Sequence, residues 1–258
     1  MEIDHIVLLT LALGVGAIMK GATGMGLPAV ATPVLAVYLG VPHAIAVLTV
    51  PIIATNFWQA WQFRACRATT TFLAPMLFAG AIGIVVGTIA LKILPAAWSS
   101  LFLGLALSAY IAHRLLRPTF ALGREAGSRL ALPVGALAGA VQGATGISSP
   151  IGVPFIHSMK LPRHELIFAV AAMFLVFSIV QLPVMAYAGL YEARFLLEGL
   201  IAVVPVLIFM PVSSWLGRIL KPKLFDYLFL LVLSVIAGSL IYSASSALLQ
   251  GSEAPHAL

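Results

Sequence analysis

Lys20-Gly-Ala-Thr-Gly-Met-Gly-Leu-Pro28 is a polar, glycine-rich stretch set in apolar sequence, and it returns as Gln142-Gly-Ala-Thr-Gly-Ile-Ser-Ser-Pro150. The groups it offers are almost all hydrogen-bond donors: the Lys20 ammonium, the hydroxyls of Thr23, Thr145, Ser148 and Ser149, and the Gln142 amide. Gly21, Gly24, Gly143 and Gly146 let a backbone approach a ligand closely and absorb dihedral change. Each stretch ends where a second helical arm begins, so free N–H groups at a helix start join the donors. That is the chemistry of anion binding without full compensation by charge.

A second polar set lies further along each half. Asn56 and Gln59 are three residues apart on one helical face, and Ser178 and Gln181 hold the matching face. The offset is about 122 residues throughout: Lys20 falls on Gln142, Gly21 on Gly143, Thr23 on Thr145, Gly24 on Gly146, Pro28 on Pro150, Asn56 on Ser178 and Gln59 on Gln181. Matches at polar positions inside apolar spans point to an internal duplication.

Each assignment has a structural alternative. Lys20 could snorkel to the cytoplasmic face or pair with a loop acid. The small residues could serve close helix packing, and the amides could bond between helices. Gly80, Gly83 and Gly87 read as a packing face with no chemical role, and Trp58 and Trp61 as interface anchors. The six histidines (His5, His43, His113, His157, His164, His256) lie at ends or loops and form no metal pattern, although His157 and His164 stand where a pH sensor could. The single Cys66 excludes an internal disulfide and reads as a free thiol. The Gly21 to Gly26 pattern has no preceding strand and no following Lys-Ser/Thr, so it is not a nucleotide loop.

The elements that must hold these groups are membrane helices. The chain has 258 residues, of which 62% are hydrophobic and 9% charged, and its mean hydropathy is +1.11. Apolar runs of spanning length recur almost end to end, which marks an all-α integral membrane protein. The formal charge of +6 is spread over short loops, which fits membrane topology and not nucleic acid. There is no basic leader segment, so the N-terminus is expected to be retained.

The first repeat is expected over 1–116, with a broken hairpin at 5–39 and spans near 43–63, 70–91 and 97–115. A cytoplasmic linker follows at 117–129. The second repeat is expected over 130–250, with a broken hairpin at 130–158 and spans near 164–188, 195–217 and 224–248. If each broken element enters and leaves by one face, that face collects Arg64, Arg67, Arg114, Arg117, Arg124, Arg129, Lys160, Arg163, Arg218, Lys221 and Lys223, and the other only Lys92 and Arg194. Single crossings would remove this bias, so the positive-inside rule selects re-entrant hairpins, although two short crossings each would keep the same parity. Both termini are then outside the cytoplasm, and the halves are inverted.

Lys20 is the one ionisable residue placed deep in apolar sequence. All eight carboxylates (Glu2, Asp4, Glu125, Glu165, Glu192, Glu198, Asp226, Glu253) sit at termini, loops or span ends. An anionic ligand is its natural counter-charge. No embedded Ser/His/Asp set or metal cluster supports an enzyme, and no cofactor is expected.

At these two loops, with the Val-Pro-His and Leu-Pro-Arg links that follow, the chain resembles the TauE/SafE sulfite exporter family over essentially its whole length. The resemblance implies a cell-membrane (inner-membrane) permease exporting a small sulfur-containing anion such as sulfite, sulfoacetate or a related organosulfonate. On this reading the two tips and the Asn56/Gln59 and Ser178/Gln181 faces bind one oxyanion while the inverted halves rock around it. An anion channel, or a permease for a non-sulfur organic anion, is the alternative. The expected partners are a small anion and the lipid bilayer, without nucleic acid; a homodimer is left open.

Overall fold

The computed structural model describes residues 10, 13–18, 20, 26–116, 121–219 and 222–252. Among the described residues all regular structure is helical. After helical residues at 13–18 come α1 (Gly26–Leu39), α2 (Val41–Gln62), a short 3-10 helix (Arg64–Ala68), α3 (Leu73–Ile93) and α4 (Ala96–Leu116). The second half holds α5 (Arg124–Thr145), α6 (Ser149–Ser158), α7 (Arg163–Tyr187), α8 (Ala193–Ile219) and α9 (Pro222–Ser252).

Six of these helices, α2, α3, α4, α7, α8 and α9, are long and apolar enough to cross a membrane. They fall on the six spans expected from hydropathy, because about 20 apolar residues are needed to cross ~30 Å of hydrocarbon. α1 is apolar but only 14 residues long, or about 21 Å at 1.5 Å per residue.

α5 begins at Arg124, inside the stretch read as a linker. Its first turns carry Glu125 and Arg129, whose side chains form an exposed i,i+4 pair at 2.6 Å. Such pairs support a helix in water, where hydropathy gives no signal. The helix then runs 22 residues to Thr145, and α6 returns in only 10. The return ends where the element began: the Leu122 N–H donates to the Ser158 carbonyl at 2.8 Å, and a Cβ on Gly127 would lie 2.6 Å from Met159 Cε. The second broken element therefore enters and leaves at the same end of the bundle.

α2 packs on both α7 and α8, while α7 packs on both α2 and α3. Each half thus lends its first long span to the other. α4 packs on α9, and α5 is laid along α3. The last pairing is made by glycine. Gly80, Gly83 and Gly87 on α3 face Gly135, Gly139 and Gly143 on α5 so closely that a Cβ on Gly83, Gly87, Gly139 or Gly143 would collide with a backbone carbonyl of the opposite helix. Lipid tails offer helices no hydrophobic reason to associate, so backbone-to-backbone contact of this kind supplies the attraction. The packing role expected for Gly80, Gly83 and Gly87 is what the structure shows.

Candidate functional site

Lys20 is wholly buried. Its ammonium donates to Asn56 Oδ1 at 2.6 Å, and the Asn56 amide nitrogen donates to the Ile52 carbonyl at 2.8 Å. The second bond sets which end of the amide faces the lysine. Asn56 is itself fully buried on α2, so Lys20 and the first long span share one charged contact whose acceptor is neutral.

The corresponding contact in the second half is built of amides. Gln142 Nε2 donates to Gln181 Oε1 at 2.9 Å, and Gln181 Nε2 donates back to the Gln142 carbonyl at 3.1 Å. This fixes both amides and ties α5 to α7. The chain turns just beyond. Gly146 caps α5 in the left-handed region at φ 77, with its N–H donating to the Gln142 carbonyl at 2.7 Å. A Cβ there would be strained by that φ and would meet Ile45 Cγ1 at 2.6 Å, so glycine is required twice over.

Ser148 and Ser149 open α6, and the Gly152 N–H donates to the Ser148 carbonyl at 2.9 Å. Gly152 lies against Met173 on α7. Along the chain, Ser148 and Ser149 lie between Gln142 and Gly152, and Ser178 lies between Met173 and Gln181, the residues those two meet. All three hydroxyls are buried and, among the described residues, lack a hydrogen-bond partner. The Gln59 and Gln142 side-chain carbonyl oxygens are also buried and unpartnered. Buried polar atoms are ordinarily satisfied, so these are among the described side-chain atoms with a bond left to make to a ligand or water.

Two of the expected donors are occupied otherwise. The Thr145 hydroxyl donates to the Val141 carbonyl at 2.6 Å and lies 3.4 Å from the Ile147 N–H, so it closes the end of α5. Gly143 faces α3, against Ile84 and Thr88. Gly21, Thr23 and Gly24 lie outside the described residues. Thr32 was not anticipated: it is buried with an unpartnered hydroxyl, and its Cγ2 would lie 3.1 Å from a Cβ on Gly146. Thr32 falls on Pro154 at the repeat offset, so the duplication carries no trace of it.

The buried polar and charged side chains are threonines, serines, one asparagine, two glutamines and Lys20, with no carboxylate among the described residues. The one full charge among them is the Lys20 ammonium, and the N–H groups opening α6 add further donors. No group of three or more metal-ligating side chains occurs among the described residues.

A family model described as Sulfite exporter TauE/SafE matches residues 8–240. The chain belongs to the TauE/SafE sulfite exporter family. Searches of the curated proteins and of the solved structures returned no match. As a TauE/SafE protein it is a multi-pass membrane transporter and not an enzyme. At the end of the TauE/SafE hairpin, outside the six spans, burial holds His157 below the usual imidazole range, with Arg114 and His113 adding to the effect. His164 stacks on Phe63 with centroids 5.3 Å apart.

Proposed function

We propose that this TauE/SafE protein is a secondary transporter that exports a small sulfur-containing anion (sulfite, sulfoacetate or a related organosulfonate) across the plasma membrane by alternating access. The observation that carries the reading is Lys20, a wholly buried ammonium whose hydrogen-bond partner among the described residues is the neutral Asn56 amide, with no buried carboxylate among them. A buried charge without a counter-charge is costly. An oxyanion would supply one, taking the remaining lysine protons on one side and the Ser148, Ser149 and Ser178 hydroxyls on the other.

The rocking motion is supported by the exchange of spans between halves, since α2 and α7 each contact both halves. Three full crossings and a hairpin that returns to its own end would invert the second repeat, and the distribution of basic residues then puts both termini outside the cytoplasm. Reporters fused at the two ends are expected to score external, and a cytoplasmic score at both would overturn the hairpin topology. An inside-negative potential would drive net anion export at ~2.3 kcal/mol per charge per 100 mV.

The direct test is thermal stabilisation of the purified protein against sulfite, sulfate, thiosulfate, sulfoacetate, taurine and plain carboxylates. A ligand that binds the folded state alone raises apparent stability with occupancy. Sulfite or sulfonates are expected to raise the midpoint and plain carboxylates to leave it unmoved. No shift with any of them would sink the proposal.

A further inference from the structure

Resting on the Lys20 reading, we infer that the site accepts a single negative charge: its substrates are monovalent oxyanions, and a dianion of the same shape is rejected. The inference comes from the charge count around the ligand. Lys20 is the one charged residue among the fully buried described side chains; every other buried polar group is an uncharged hydroxyl or amide. Gly21 to Met25, which follow Lys20 in the sequence, bear no charge either. Arg64, just beyond the end of α2, is exposed and donates to the Trp61 carbonyl, while Arg129 and Arg194 are exposed and paired with Glu125 and Glu192.

One ammonium and one monoanion sum to zero, so the loaded site carries no net charge into a low-dielectric interior. A dianion would leave one charge there uncompensated. Hydroxyls and amides solvate it partially, but the desolvation of an unbalanced buried ion is expensive. Hydroxyl donors distinguish charge poorly; the single ammonium sets the limit. This narrows the anions named under the proposed function: hydrogen sulfite and simple sulfonates are selected, while sulfoacetate, doubly ionised at neutral pH, is disfavoured together with sulfate and thiosulfate.

The test compares two ligands of nearly the same shape. Methanesulfonate is a monoanion at every working pH, whereas methylphosphonate passes from monoanion to dianion at its second ionisation. Dissociation constants for both are measured on the purified protein, at constant ionic strength, below and above that ionisation. Taking their ratio at each pH removes any titration of the protein itself. The ratio is expected to change by about ten-fold or more in favour of methanesulfonate as methylphosphonate becomes a dianion. A ratio that stays level, with both binding, overturns the charge limit and leaves the anion-transport reading standing. If neither ligand binds, nor sulfite, both fall together.

Asn56→Asp supplies an independent check. It places a carboxylate against Lys20 in the position of the amide oxygen and removes the need for an anion. The variant gives up the bond to the Ile52 carbonyl, so its midpoint without ligand is read first to confirm folding; with the new carboxylate ionised, it is expected to lose methanesulfonate binding. Retained binding in a well-folded Asn56→Asp protein would show that the charge count does not govern the site.

Discussion

Lys20→Met abolishes anion-dependent stabilisation and reduces sulfite flux in proteoliposomes by about 100-fold or more, on the expectation that a buried charge pair lost from one side costs ~3 to 5 kcal/mol. Methionine keeps the length and apolar stem of lysine, so the wholly buried position stays filled. The variant also removes a buried ammonium whose hydrogen-bond partner among the described residues is a neutral amide. The ligand-free protein should therefore melt no lower than the wild type. Two measurements separate the outcomes: the melting midpoint without ligand reports folding, and its response to sulfite reports the site. Unaltered flux in Lys20→Met would assign the lysine to structure alone, as a tether to α2 through Asn56.

The second large effect concerns packing. Gly139→Val should prevent accumulation of a monodisperse folded protein. A Cβ at Gly139 would collide with the Gly80 carbonyl oxygen, which belongs to a helix backbone and cannot rotate away as a side chain would. α3 and α5 would have to separate along a seam that also includes Gly83, Gly87, Gly135 and Gly143. Overpacking a core ordinarily costs ~1 to 3 kcal/mol through side-chain shifts, and a backbone collision repeated along a seam should exceed that range. Gly238→Ala is the matched control, since a Cβ there meets nothing within 4 Å. Size-exclusion profiles and melting midpoints of the two variants decide the matter. Equal behaviour would mean that the hairpin is not held to α3 by this seam.

The consequence for transport follows from the same contacts. α5 carries Gln142 and leads into Gly146 and Ser148, so a seam that fixes α5 on α3 also fixes one wall of the site. Gln181 reaches that wall from α7 through two hydrogen bonds. α7 packs in turn on α2, which carries Asn56.

Hydropathy alone located the six long helices, because the thickness of a bilayer imposes a length and an apolar composition that any sequence must show. The repeat offset likewise marked Lys20, Asn56, Ser178 and Gln181 as special, since polar residues survive in apolar spans only with a partner or a purpose. The start of α5 at Arg124 was not legible from hydropathy: its first turns stand in water and are supported by Glu125 and Arg129. The partners of the polar groups were not legible either. The repeat offset equates Lys20 with Gln142 and Asn56 with Ser178, yet Gln142 bonds to Gln181, one turn beyond Ser178, and Lys20 bonds to Asn56. Thr145 looked like a ligand donor and instead closes its own helix through Val141. Gly143 looked like a place for backbone to meet ligand and instead meets α3. Length, polarity and repetition are properties of one helix at a time and can be read along the chain. The face that a residue presents depends on the rotation of its helix, and that rotation is decided by packing against helices distant in sequence, which only the tertiary structure holds.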